Sequence, residues 1–303
     1  MAHDHSHGID PHSGDRRVVL AVVANLLLTV AQVVGGVLSG SLALVADALH
    51  NFSDVAALLI AFAARRIARR PADEDMTFGY RRIEVVAALV NYTTLVVIGC
   101  YLVYEGALRL VEPPEVSGWV VVALGGAALA VDALTAGLTW SMQKGSVNIR
   151  ALFVHNLSDA LASVAVIIGG ALMLLFGWWL VDPLVTLGIA GYILYLACSE
   201  VGGVIRTLML GSPPGLDHAA VLHAVREVPG VAGVHHAHLW QIDEHAASLD
   251  THVVVEHGDW DRQEQIKREI KERLRERFGI SHSTLEFERG DCSDGGGTGC
   301  GLA

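Results

Sequence analysis

The sequence predicts a membrane all-α domain of six transmembrane helices followed by a small C-terminal α+β domain. Three observations carry this. Of 303 residues, 52% are hydrophobic and only 17% charged, with a mean hydropathy of +0.45, whereas a soluble domain carries about 25% charged residues. The deficit is concentrated, because from Ala151 to Glu200 the only charges are Asp159, Asp182 and Glu200. After Gly211-Ser212-Pro213-Pro214 the pattern changes to that of a soluble domain. The expected organisation is a histidine-containing N-terminus over 1–15, a membrane domain over 16–210, an α+β domain over 211–290 and a tail over 291–303.

Six apolar runs, at about 18–38, 42–64, 83–104, 116–140, 148–176 and 178–199, each approach or exceed the roughly 20 residues a helix needs to cross a bilayer. Ser39-Gly40-Ser41 and the region of Gly177 are short joins, so spans 1 and 2, and spans 5 and 6, form helical hairpins. Arginines set the orientation. Arg65, Arg66, Arg69, Arg70, Arg81 and Arg82 fill the join between spans 2 and 3, Arg16 and Arg17 precede span 1, and Lys144 and Arg150 flank the join between spans 4 and 5. The opposite side offers Arg109 among Glu105, Glu112 and Glu115. Both termini are therefore expected in the cytoplasm. Beyond residue 211, Leu216–Val228 and Asp261–Phe278 read as amphipathic helices, and Val231–Ile242, Ser248–Glu256 and His282–Glu288 as alternating strands. The order αββαβ can lay two helices on one face of a small sheet. Residues 290–303 are expected to lack order.

The net charge is −11. Residues 1–211 hold 16 acidic and 12 basic side chains, and residues 212–303 hold 16 and 9. An acidic soluble part argues against a nucleic-acid partner and suits cations. Cys100 and Cys198 lie in apolar spans and Cys292 and Cys300 in the tail, which is no disulfide framework. The N-terminus lacks a basic start leading into a short apolar core, so no signal peptide is expected.

Two copies of one pattern sit inside the apolar runs: His50-Asn51-Phe52-Ser53-Asp54 and His155-Asn156-Leu157-Ser158-Asp159. Residues four apart share a helix face, and a carboxylate in a lipid-spanning helix is costly and rarely decorative. Both pairs fall about 8–12 residues into their spans, near the midplane at about 1.5 Å per residue. Two imidazoles and two carboxylates complete a tetrahedral shell for Zn²⁺ or a similar ion. Asp47 shares the face of His50 and Asp54 and reads as a partner that orients His50. The alternative is that each His and Asp makes a structural polar contact. For Asp132, Asp182, Asn25 and Asn91, helix–helix hydrogen bonding is the favoured reading.

In the soluble part, His235 opens the first strand, His252 lies in the second and His282 begins the third; Glu288 ends that strand and Cys292 follows. Imidazole, carboxylate and thiolate suit Zn²⁺, and exposed histidines on a solvated face are the alternative. His236, His245 and His257 read as surface residues, and His218 and His223 are not spaced as a helical pair. His3, His5, His7 and His12 form a run able to capture metal weakly.

The segment Ser41-Leu42-Ala43-Leu44-Val45-Ala46-Asp47-Ala48-Leu49-His50 with Asp54, then Thr77-Phe78-Gly79-Tyr80-Arg81-Arg82-Ile83-Glu84, then His155 with Asp159, resembles the cation diffusion facilitator family. Gly233-Val234-His235-His236-Ala237-His238-Leu239-Trp240 resembles that family's cytoplasmic domain. The resemblance extends over the chain after residue 15. It implies a homodimeric, proton-coupled exporter of Zn²⁺ in the cell membrane, with a ferredoxin-like, metallochaperone-like cytoplasmic domain that binds further zinc. The implied transport ligands are His50, Asp54, His155 and Asp159, and the implied cytoplasmic ligands His235, His252, His282 and Glu288; Cys292 and Cys300 resemble the family's tail cysteines. The join between spans 2 and 3 has Asp73, Glu74 and Asp75 but no histidine, so a further site seen in some bacterial members is not expected. A long histidine-rich join between spans 4 and 5 is also absent. Histidine in both membrane motifs favours Zn²⁺, with Cd²⁺ or Co²⁺ next.

The expected mechanism is alternating access, with protons competing for ligands that must be deprotonated to bind metal. Imidazole changes charge near neutral pH, which makes His50 or His155 the expected proton carrier. Two other classes compete: a membrane-anchored metal sensor and an intramembrane metalloenzyme. The second lacks a His-Glu-x-x-His motif and an open ligand position for water.

Overall fold

A computed structural model describes residues 11–140, 147–243, 246–256 and 259–289, and the side chains of 25–134 and 157–289 within them. The N-terminal histidines, Cys292, Cys300, His245 and His257 lie outside the residues or side chains so described. Six long helices come first: α1 (Pro11–Ser39), α2 (Leu42–Ala68), α3 (Ile83–Val111), α4 (Gly118–Trp140), α5 (Val147–Phe176) and α6 (Val181–Leu208). A smaller set follows: α7 (His218–Arg226), β1 (Val231–Gln241), β2 (Ala247–Val255), a single 3₁₀ turn at Trp260–Arg262, α8 (Gln263–Phe278) and β3 (His282–Arg289). Among the described residues, α2, α3, α5 and α6 are long and apolar enough to cross a membrane, and the described parts of α1 and α4 are shorter apolar helices.

The chain divides into two compact units, residues 1–60 with 90–199, and residues 61–89 with 200–303. In the first, the core is built from Leu44, Leu102, Val121, Val166 and Ile193. Its α2 is inverted relative to a water-soluble helix. The buried stripe carries Asp47, His50, Asn51 and Ser53, while Leu58 and Leu59 are 63% and 62% exposed. An apolar face turned outward is stable against lipid or another apolar surface, not against water. The α1–α2 turn is closed by Gly40 at φ +76°, a left-handed position that a side chain would strain. The first turn of α2 is capped from α6. The Asp182 carboxylate accepts from Ser41 Oγ at 2.6 Å, from the Leu42 N–H at 2.8 Å and from the Ala43 N–H at 3.3 Å, satisfying donors that a helix start leaves unpaired. Helices α4 and α5 approach closely at Gly118, where an added Cβ would meet the Gly170 carbonyl at 2.7 Å, and Ser163 Oγ on α5 donates to Asp132 on α4 at 2.9 Å.

In the second unit the sheet order is β1-β2-β3, with β1 and β2 antiparallel and β2 and β3 parallel. The parallel pair requires a crossover, which α8 supplies. Ile266, Ile270 and Leu274 recur every four residues on α8 and are buried with Val221 and Val225 of α7 against Leu249, Val253 and Val255 of β2. Asp217 caps α7 through the Ala219 N–H, and Gly279 ends α8 at φ +69°.

The elements follow the expected order, but α1 begins about seven residues before span 1, α3 ends about seven after span 3 and α6 ends about nine after span 6. The alternation of β1 does not predict its register shift between His235 and His238. His235 pairs with His252 and His238 with Asp250, so three residues of β1 answer two of β2. His236 takes up the extra length at φ +48°. The result is that His235 and His238, an odd three apart, share the face opposite the helices while Val234 and Leu239 both enter the core.

Candidate metal centres

In the first unit, His50 and Asp159 are 5% and 7% exposed. Their burial matters because isolated polar groups would not be left in an apolar bundle. His50 Nε2 lies 3.3 Å from Asp159 Oδ1 and 3.9 Å from Asp54 Oδ2. The three residues offer one ligand atom each within 4.8 Å of one another. His155 lies one turn before Asp159 on α5, and its side chain is outside the described set. A cavity of about 390 Å³ adjoins the cluster, lined by His50, Ser158, Asp159, Gly188, Ile189 and Tyr192 among others. The Tyr192 ring stands edge-on to His50, with centroids 6.4 Å apart.

Asp47, expected to orient His50, accepts from Gln32 Nε2 of α1 at 2.6 Å. Gln32 Oε1 in turn accepts from Asn51 Nδ2 at 3.5 Å. Gln32 is fully buried and was not singled out by the motif; the available signal was an amide inside the apolar run of span 1. Through this network α1 holds the face of α2 that carries His50.

In the second unit, strand register builds a separate cluster. His252 of β2 lies between His235 of β1 and Glu286 of β3. Glu288 bridges the imidazoles, its Oε2 2.9 Å from His235 Nε2 and its Oε1 2.6 Å from His252 Nδ1. Burial pulls the Glu288 carboxyl upward, but the hydrogen bonds from His252 and His235 outweigh it and hold it below its ordinary value. The three residues again present ligand atoms within 4.8 Å. Glu286, not singled out from sequence, sits 3.4 Å from His252 Nε2; the signal was its two-residue spacing from Glu288, which puts both on one face of a strand.

His282 does not join this cluster. It pairs with Ser248, four strand positions from the His252–Glu286 pair, a separation of about 13 Å at 3.3 Å per residue. Its ring faces Phe78 instead, with centroids 5.6 Å apart. The resemblance implied His282 beside His235, His252 and Glu288; within one chain the register groups the other three without it.

Residues 18–209 match the family described as "Cation efflux transmembrane domain", and residues 213–289 match "Cation efflux protein, cytoplasmic domain". The chain belongs to the cation diffusion facilitator family. It is a transporter of metal cations and an integral membrane protein, not an enzyme. It is similar along nearly its whole length to the metal cation efflux system protein CzcD of Cupriavidus metallidurans, at 35% identity over 96% of this chain and 90% of that protein. It is 34% identical to the zinc transporter ZitB of Escherichia coli, over 96% of this chain and 94% of the other. A cadmium, cobalt and zinc/H(+)-K(+) antiporter of Bacillus velezensis is 32% identical over 95% and 92% of the two chains.

Proposed function

We propose that this transporter exports Zn²⁺ from the cytoplasm in exchange for protons, with Cd²⁺ and Co²⁺ as further cargo, and that His50, Asp54, His155 and Asp159 hold the ion during passage. The observation that carries this reading is the meeting of His50 and Asp54 on α2 with Asp159 on α5, with His50 and Asp159 buried and Asp54 half-buried. Two carboxylates and an imidazole from separate helices offer N and O ligands of the type Zn²⁺ takes, and a site shared by two helices can be opened by moving either. Ligand atoms must be deprotonated to bind metal, so protons entering from outside displace the ion and return in its place. The names of the similar efflux proteins support the cargo.

The same reading takes α1 to α6 as six spans with both termini in the cytoplasm of a cell-membrane protein, and domain limits near 16–210 and 211–290. His235, His252 and Glu288 hold a second metal in the cytoplasmic domain, and two copies of the chain associate. In proteoliposomes with a pH gradient, the wild-type chain is expected to move Zn²⁺ and Asp159→Ala to lose that flux while retaining its fold. Undiminished proton-coupled flux through Asp159→Ala would overturn the assignment.

A further inference from the structure

Within the second unit, the end of α2, the start of α3 and Asp243 just beyond β1 border a cavity of about 360 Å³. Arg65, Arg69 and Arg81 line it with Glu84 and Asp243. Among the described lining residues, three guanidiniums against two carboxylates leave one positive charge. Arg81 Nη1 lies 3.6 Å from Asp243 Oδ2. Arg65 and Arg69 have no carboxylate within ion-pair distance among the described residues. The wall is fixed, because the neighbouring Arg82 donates to the Ile242 carbonyl at 2.9 Å and to the Gln241 carbonyl at 3.1 Å.

Orientation in a membrane accounts for arginines in this join, but it requires only their charge. It does not require three of them to converge on one cavity. The level of the cavity is informative as well. On α2, Leu58, Leu59 and Phe62 are 63%, 62% and 72% exposed, and Arg65 follows Phe62 by three residues. On α3, Val86 and Val90 are exposed just beyond Glu84. The lipid-facing apolar surface of both helices therefore stops at the cavity, where phospholipid phosphates lie.

We infer that the cavity bounded by Arg65, Arg69 and Arg81 binds the phosphodiester of an anionic phospholipid headgroup. Guanidinium groups pair with phosphate oxygens in bidentate geometry, and basic pockets at the ends of spans are suited to anionic headgroups. One excess positive charge matches the single charge of a phosphodiester. Because Asp243 belongs to the β1–β2 turn and shares Arg81 with the cavity, a bound headgroup touches the cytoplasmic domain as well as the helix ends.

The test uses the purified full chain in detergent, with thermal unfolding and native mass spectrometry read as phosphatidylglycerol, phosphatidylcholine or inorganic phosphate is added. Phosphatidylglycerol is expected to raise the melting temperature of the wild type above the effect of phosphatidylcholine and to appear as a retained adduct. Arg65→Gln/Arg69→Gln is expected to lose most of that increment and the adduct. Arg66→Gln/Arg70→Gln removes the same charge from residues that do not line the cavity, and is expected to keep both. An increment that survives in the first double variant, or is lost equally in the second, overturns the inference. So does an equal shift from inorganic phosphate or phosphatidylcholine.

Discussion

Asp47 and Gln32 show how much a single buried hydrogen bond can decide. The Asp47 carboxylate is 2% exposed and its contact to Gln32 is 2.6 Å. Removing one partner of a buried pair leaves the other desolvated, at a cost of about 1–3 kcal/mol. Gln32→Leu is therefore expected to lower stability by about that amount and to slow metal flux by loosening the His50 face of α2. Thermal unfolding in detergent and proteoliposome flux measure the two effects separately, and an unchanged melting temperature would contradict the role given to Gln32. Outside the membrane, Asp73 accepts from the Tyr80 hydroxyl at 2.7 Å and from the Met76 and Asp75 N–H groups at 2.8 and 3.1 Å. The Tyr80 bond first, and the Met76 bond next, hold its carboxyl below the usual range. A depressed carboxyl contributes order above its ordinary pKa, and that order is lost as pH falls through the lowered value. Hydrogen-exchange protection of the Asp75 and Met76 amides is expected to be present at neutral pH and to vanish below that point. In Asp73→Asn, protection is expected to be low at every pH.

The β1 bulge and the α2 cap make the same point for whole elements. A residue with a side chain in the left-handed region costs about 1–2 kcal/mol, and β-branching worsens the fit. His236 already bears that cost at φ +48°, and His236→Val is expected to add to it and destabilise the cytoplasmic domain further, because a β-branched residue fits the region worse. The signal is earlier unfolding of that domain and weaker Zn²⁺ binding to the full chain, because His235 relies on the bulge for its aim. His236→Gly is expected to keep both. At α2, Asp182→Ala strips three donors of their acceptor. The expected loss is about 1–3 kcal/mol, seen as a lower melting temperature, with metal affinity intact because Asp182 is no part of the His50 cluster. Asp182→Asn should recover part of it, since an amide oxygen still accepts.

For the molecule, two candidate metal clusters of similar composition are built by unlike means. In the membrane unit, four-residue spacing on α2 places His50 and Asp54 together, and helix packing brings Asp159. In the cytoplasmic domain no ligand is near another in sequence, and sheet register alone assembles His235, His252 and Glu288. The difference predicts that substitutions in the two clusters have separate effects. Proton-driven Zn²⁺ flux in vesicles is expected to depend on Asp54 and Asp159, whereas Glu288→Gln is expected to cost one bound metal per chain without abolishing flux. Equilibrium dialysis and vesicle uptake on the same preparations separate these outcomes.

Helix periodicity, apolar run length and arginine placement were all legible along the chain, because each depends on neighbours within a few residues. So was the His50–Asp54 pair, since a helix converts a four-residue spacing directly into proximity. Those local rules also carried αββαβ order in the soluble part. Long-range partners were not legible. Gln32 meets Asp47 only because α1 packs on α2, and Asp182 reaches the start of α2 from 140 residues away. His282 and Glu288 lie on one strand, yet register sends one to Phe78 and the other to His235. A bulge that flips the facing of His238 leaves no periodic trace, because it breaks the period. Spacing along the chain determines which side chains share a face. Packing and register, which depend on contacts between distant segments, decide what that face meets.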